Sequence, residues 1–366
     1  MSDFLIVGGG VMGMMTALQL ADAGQQVSLV ERGDCGREAS WAGGGIVSPL
    51  YPWRYAQAIS RLSRWSEGAY PSLSLRLLEE TGIDPEYRQK GLLYLSVDDP
   101  EAALSWARQM GKPLERVSAD MVRAKESCLP PTEGALWMPT LGSVRNPRLG
   151  KALRARLSAM PNVTLHEQCE VKDFVRHGER IEGVSTAQRT LTAAHTIVCG
   201  GAWAGTLLKT LDVSLPVRPV KGQMLAYQTP PGLVKRVVLK DGRYVIPRAD
   251  GLLLVGSTLE ACGFDKTTDQ EALMSLRQSA EDIVPALADY PVAYHWAGLR
   301  PGSPDGVPFI GELPGWKNIS VNAGHYRNGL VLAPASTHLL VDQLLGRPPL
   351  IDPAPYRMTP ERLTAG

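Results

Sequence analysis

The first thirty residues constrain this chain more than any other stretch. Phe4-Leu5-Ile6-Val7 is wholly apolar, as a parallel strand buried on both faces must be. It runs straight into Gly8-Gly9-Gly10-Val11-Met12-Gly13, a G-x-G-x-x-G turn. Helical periodicity follows from Val11 to Ala23, with Met14, Ala17, Leu18 and Ala21 on one side and Gly24 as the stop. Gln26 to Val30 reads as the next strand, and Glu31 stands at its end.

Each part of this unit has a mechanical role. Gly8 permits the tight turn, Gly10 lets the backbone approach a pyrophosphate, and Gly13 lets the helix pack closely on the strand. The helix N-terminus offers free N–H groups and a partial positive charge to phosphates. Glu31, with Arg32 beside it, can accept hydrogen bonds from ribose hydroxyls. A lone G-x-G-x-x-G says little, because an ordinary strand–helix turn can carry one. Between strand and helix, with an acid at the end of the next strand, it points to dinucleotide binding.

Composition narrows the class by exclusion. A length of 366 residues predicts two domains or one large one. With 38 Lys+Arg against 37 Asp+Glu, nothing electrostatic favours a nucleic-acid or membrane-surface partner. Five cysteines without a CxxC make neither a disulfide framework nor a zinc cluster. The six histidines show no HxxxH or HExxH, so no metal is expected. Only Asp3 precedes the first apolar run, which does not suit a signal peptide. No run of about 20 apolar residues suits a spanning helix. A reducing, cytoplasmic location is the expectation.

Two further glycine-rich stretches favour a flavin over a nicotinamide. Ala39-Ser40-Trp41-Ala42-Gly43-Gly44-Gly45-Ile46 lets backbone N–H groups approach a planar ring or a second phosphate. Far along the chain, Asn318 to Val321 reads as a strand, Asn322 to Gly329 as a turn, and Leu330 to Leu345 as a helix with Pro334 near its start. A helix N-terminus there can face the pyrimidine end of a flavin and stabilise its anionic reduced ring.

These segments carry a family resemblance. GGGVMG, ASWAGGGIVSP at 39–49, PVRPVKGQM at 216–224, GLRPGSPDGVPFIG at 298–311 and GHYRNGLVLAP at 324–334 are similar to the D-amino-acid-oxidase-type flavoproteins, and within them to the glycine oxidases of thiamine biosynthesis. The resemblance implies an FAD-dependent oxidase. It would convert glycine, sarcosine or a small D-amino acid, with molecular oxygen, to the oxo acid, ammonia or amine, and hydrogen peroxide. A family tetramer is also implied. FAD is expected to be non-covalent: monomeric sarcosine oxidases tether it to a C-terminal cysteine, and here no cysteine follows Cys262. The alternatives are a D-amino-acid dehydrogenase passing electrons to a quinone, or a flavin-binding protein without catalysis.

Cofactor elements at both ends predict a discontinuous domain. The expected fold class is α/β, α+β overall: a Rossmann-like FAD-binding domain from 1–84, 143–214 and 297–366, and a substrate-binding domain from 85–142 and 215–296 on a mostly antiparallel sheet. Residues 54–82 and 147–159 have helical patterns, the second with Asn146 as its N-cap. Residues 163–198 read as short hairpin-like strands. Residues 217–228, 236–239, 243–247 and 252–258 alternate as antiparallel strands do, and 269–281 reads as a helix.

Within that frame the resemblance supplies site residues. Arg300 takes the carboxylate-binding position, where a guanidinium fork matches a carboxylate. Tyr244 reaches the same carboxylate. Arg327 approaches the substrate or shapes the flavin site. Leu259 lines the pocket where glycine oxidases tend to carry methionine. Cofactor contacts are expected from Gly8, Gly10, Val11, Met12, Gly13, Glu31, Arg32, Ala39, Ser40, Gly44, Gly45, Ile46, Val171, Gly200, His325, Tyr326, Arg327, Asn328, Gly329, Leu330 and Val331. His325 invites a general-base role, but its ring is read as structural, since hydride transfer needs no side-chain base.

Overall fold

The computed structural model describes residues 2–364 and builds them around two large sheets. The first holds five parallel strands in the order Val163–His166, Val27–Val30, Ser2–Val7, Thr190–Val198 and Ile319–Ala323, with Phe309–Glu312 as an antiparallel edge. Leu5 and Ile6 are fully buried, as a central strand covered on both faces requires. Of the hairpin-like region, Val171–His177 and Arg180–Thr186 do form a hairpin. Val163–His166 instead pairs in parallel with Val27–Val30. It sits at the sheet edge with only partial burial, and an edge strand alternates in pattern much as a hairpin strand does.

Two helices lie on one face of this sheet. Val11–Asp22 and Gly329–Leu344 are buried along most of their length and share a core with Phe4 and Ile6. The second carries Pro334 inside it. Proline has no N–H and frees the carbonyl four residues earlier. That carbonyl, of Leu330, accepts a hydrogen bond from the Tyr70 hydroxyl at 2.6 Å. The next N–H, of Ala335, donates to Ser66 Oγ at 2.9 Å. Ser66 and Tyr70 stand one turn apart on the helix Gln57–Thr81 and repair the break from outside.

The helix Asn146–Ser158 begins one residue earlier than its sequence suggests. Arg145 is the N-cap, so the Asn146 side chain does not cap the helix. It turns instead toward Gly43 and Gly45.

The second sheet has eight strands, in the order Val292–Gly302, Arg218–Gln228, Leu252–Gly256, Arg243–Pro247, Val237–Lys240, Leu92–Leu95, Gly134–Met138 and Glu115–Ser118. All neighbours are antiparallel except Val237–Lys240 with Leu92–Leu95. The strand Val292–Gly302 pairs with Arg218–Gln228 as far as Gly302, so Arg300 is part of this sheet. Alternation sorts its faces. Val245, Val255 and Leu225 pack with Leu276, Ala280 and Ile283 of the helix Gln270–Ile283. Tyr244, Ile246, Met224 and Leu254 form the opposite face.

The Pro334 repair yields a stability test. Tyr70→Phe keeps the ring and strands the Leu330 carbonyl, which costs about 1–3 kcal/mol. Urea unfolding should show that loss with an unchanged slope. A midpoint equal to that of the parent would mean that the Tyr70 bond is not needed.

Candidate active site

At the carboxyl ends of the parallel strands lie two adjoining cavities. The first is lined by Gly10, Val11, Met12, Ala39, Ser40, Gly44, Gly45, Ile46, Tyr244, Arg300, His325, Tyr326, Arg327, Asn328, Gly329, Leu330 and Val331. The second is lined by Gly8, Glu31, Arg32, Val171 and Gly200. Gly10, Ala39, Ser40, Cys199 and Gly201 line both, so the two form one elongated space. Two expected residues lie outside it. Gly13 is a packing residue: a Cβ there would stand 1.9 Å from the Gly8 carbonyl oxygen. Leu259 is 52% exposed and lines neither cavity. Its neighbour Thr258 turns inward, where its hydroxyl accepts from the Gln223 N–H, which sends Leu259 outward. Ser257 is the residue of that segment that meets the first cavity.

The residues present suit a flavin dinucleotide. Gly45 adopts φ +81°, and a Cβ there would meet the Val144 carbonyl oxygen at 2.0 Å, so this wall is bare backbone. The helices Val11–Asp22 and Gly329–Leu344 both begin at the first cavity. Ser40 Oγ accepts from the Val11 N–H at 2.8 Å. Asn322 and Asn328 line the same wall with buried Nδ2 donors that have no partner among the described residues. Such donors match the carbonyl oxygens and ring nitrogens of a flavin. In the second cavity Glu31 accepts from the Gly9 N–H at 2.7 Å and the Gly33 N–H at 2.9 Å. A carboxylate has roughly four acceptor positions, so capacity remains for ribose hydroxyls. The Arg32 guanidinium stacks on Trp203, 3.6 Å from its ring centroid, at the rim of this cavity.

Charge divides the space. Glu31, Glu38 and Glu170 line the second cavity, and no carboxylate lines the first. Arg300 donates from Nη2 to Ser257 Oγ at 2.7 Å, and from Nη1 to the Lys221 and Thr258 carbonyls at 3.2 Å each. All three partners are neutral, and among the described residues no carboxylate pairs with it. Burial pulls its pKa below the usual arginine value, and the charge of Arg327 adds to that effect. The guanidinium lies over Gly222, where a Cβ would stand 2.2 Å from both Nη atoms. Tyr244 is buried on the same wall, and its hydroxyl meets only Met224 Sδ, a weak acceptor, at 3.9 Å. Arg327 is exposed at the mouth.

His325 lines the first cavity, but its ring is engaged behind the wall. Its Nε2 is 2.7 Å from Ser336 Oγ, which donates to Asn322 Oδ1 at 3.0 Å. Burial pushes its pKa down to about 3, so the ring stays neutral. Sequence reasoning missed Asn146, Arg248, Asn322 and Trp203. Asn322 lay inside a recognised turn and could have been found there. The others meet the site through partners far away in sequence.

A parallel sheet with a glycine-lined cavity at its strand ends, set against a mostly antiparallel sheet that brings Arg300 to the same cavity, suits a flavin-dependent oxidoreductase. A family model described as FAD dependent oxidoreductase matches residues 3–343, and the chain belongs to that family, whose cofactor is FAD. It is 53% identical to a glycine oxidase of Pseudomonas aeruginosa over 353 residues, covering 96% of this chain and 97% of that protein. It is 50% identical to a glycine oxidase of Pseudomonas putida with the same coverage. The crystal structure of glycine oxidase from Geobacillus kaustophilus superposes with a TM-score of 0.92 at 31% identity, over 98% of both chains.

The His325 pocket sets a pH dependence. The folded ring resists protonation down to about 3, whereas the unfolded ring titrates near 6.5. Between those values the unfolded state binds more protons, so stability falls as pH falls, by up to about 1.4 kcal/mol per pH unit. His325→Gln should lower that slope between pH 7 and 5 in denaturant titrations. An identical slope in the two proteins would assign the acid lability elsewhere.

Proposed function

We propose that this chain is an FAD-dependent glycine oxidase. It deaminates glycine, and also sarcosine and small D-amino acids, to the oxo acid and ammonia or amine, with oxygen giving hydrogen peroxide. The observation that carries the reading is Arg300: a guanidinium beside a glycine-lined cavity with hydrogen bonds only to neutral groups. A substrate carboxylate supplies the counter-charge that the protein omits. The names and coverage of the relatives support the same conclusion.

The halves of the molecule divide the work. The parallel-sheet half (1–84, 143–214 and 297–366) holds the cofactor and the other half (85–142 and 215–296) the substrate, except that residues 297–302, Arg300 among them, complete the strand Val292–Gly302 of the antiparallel sheet. Gly10, Val11, Ser40, Gly44, Gly45 and Asn328 to Val331 hold the flavin end without a covalent bond. Glu31, Arg32 and Val171 hold the adenosine end. When bound, FAD accepts two electrons from the substrate and passes them to oxygen. Arg300 forks the carboxylate, the Tyr244 hydroxyl donates a hydrogen bond to the same group, and Arg327 approaches the substrate or shapes the flavin site. Together they fix the substrate's orientation, which is worth a large part of the rate. No carboxylate lines this cavity and the His325 ring is engaged, so no side chain stands ready to take the substrate's ammonium proton. The substrate therefore reacts as the free amine, its proton lost to solvent. The imine formed from glycine is the species that thiamine biosynthesis consumes, and we place the enzyme there.

Glycine added without oxygen should bleach the flavin absorbance, and air should restore it with peroxide. A flavin that neither glycine, sarcosine nor D-alanine bleaches refutes the proposal. Arg300→Ala should raise the KM for glycine at least about 100-fold, the equivalent of about 3 kcal/mol of charge-assisted bonding, while FAD stays bound. Colour lost in that variant would make Arg300 a cofactor residue. The rate of flavin reduction should rise with pH as the amine is freed, and a flat profile would contradict reaction of the neutral amine.

A further inference from the structure

Arg248 is 7% exposed, and among the described residues it forms no ion pair. Its Nη2 donates to the Gly44 carbonyl at 2.7 Å, and its Nε has no partner. The acids nearby are already engaged: Arg145 holds Glu86 at 3.2 Å and Asp250 at 2.7 Å. A buried guanidinium left so far from neutral is destabilising, and an apolar side chain of like volume would pack there at less cost. Its position is therefore explained by what it touches.

What it touches is the glycine wall of the first cavity. Tyr244 and Ile246 point to one side of the strand Arg243–Pro247, Arg248 follows just past its end, and all three close on that wall. A Cβ at Gly44 would meet Ile246 at 2.7 Å and Tyr244 at 3.2 Å, and one at Gly45 would meet Asn146 Oδ1 at 2.4 Å and Arg248 Nη2 at 3.2 Å. The Gly44 carbonyl points at Arg248. In a planar trans peptide the following N–H, that of Gly45, points the opposite way. That N–H has no acceptor among the described hydrogen bonds, and Gly45 lines the cavity. Arg248 itself does not line it, so it acts through the peptide.

We propose that Arg248 is a positioning residue for the redox step: by anchoring the Gly44 carbonyl it aims the Gly45 N–H at the flavin ring, and its unneutralised charge raises the ring's electron affinity. This rests on the cofactor assignment above. A donor polarised from behind by a cation is a stronger donor. A unit charge in a water-poor interior also acts over several ångströms. Both effects favour the reduced, anionic form of the ring.

The test uses the FAD-loaded enzyme and the variants Arg248→Met, Arg248→Gln and Arg248→Lys. Three quantities are read: the flavin absorption spectrum, the midpoint potential by dye equilibration, and kcat against KM for glycine. The Met and Gln variants should show a more negative potential, a shifted visible spectrum and a kcat lowered about 10-fold or more. Their KM should stay within about 3-fold of the parent, because Arg300 is untouched. Lys should restore most of the potential and of kcat. Gln, polar and neutral, serves where Met does not fold. A parental potential and spectrum in a loaded Gln or Met variant overturn the proposal, whatever the loss of stability. A parent protein that takes up no FAD overturns the functional reading as well, which separates the two failures.

Discussion

An α-helix begins with backbone N–H groups that no carbonyl of its own can satisfy. In this molecule the parallel sheet brings two such beginnings, those of Val11–Asp22 and Gly329–Leu344, to the same cavity. The rest of the structure serves that convergence. Glycines at the turns remove the side chains that would fill the gap. Ser40 takes one free N–H of the first helix. Pro334 breaks the second helix near its start, and Tyr70 and Ser66 hold the broken turn in place. The final wall is therefore held in place where the flavin ring is proposed to lie, although proline would otherwise loosen it.

The half proposed to hold the substrate is built on the opposite logic. There, two arginines stand without a carboxylate partner among the described residues, Arg248 buried and Arg300 half-buried. Arg300 and Arg248 both bond to neutral acceptors, and the carboxylates near Arg248 are held by Arg145. Each unneutralised charge costs stability. The cost is offset by the folded framework around it: two eight-stranded sheets and four larger apolar clusters. A protein arranged for stability alone would pair these arginines. One arranged to receive a carboxylate and to favour an electron-rich ring would leave them as they are.

Legibility of the site in the sequence followed the range of the contacts. The first strand, turn and helix were readable because strand, glycines and Glu31 lie within one short stretch. The antiparallel strands at 217–228, 236–239, 243–247 and 252–258 were readable because alternation is local, and all four are present within a few residues of those limits. Leu259 was misplaced because the strand ends at Gly256 and the chain turns before reaching it. Asn146 looked like a helix cap, a sound inference from an Asn-Pro pair, yet its helix starts one residue earlier and frees the side chain for the glycine wall. Arg248 gave no signal at all, since its partner Gly44 is some two hundred residues away.

Strand geometry ties these long-range contacts back to local pattern. Tyr244 and Ile246 are spaced by two, so the register of Arg243–Pro247 aims both at once and carries Arg248, the next residue after the strand, to the same wall. That register pairs Tyr244 with Gly256, where a Cβ would stand 2.8 Å from the tyrosine hydroxyl. Gly222 does the same for Arg300 on the neighbouring strand, at 2.2 Å. A one-residue slip would turn Val245 and Pro247 toward the glycine wall and remove hydroxyl, guanidinium and apolar contact together. The glycines of the substrate sheet thus act as register marks. Each leaves a gap that only one neighbouring side chain fills, and those side chains face the cavity in which the chemistry is proposed.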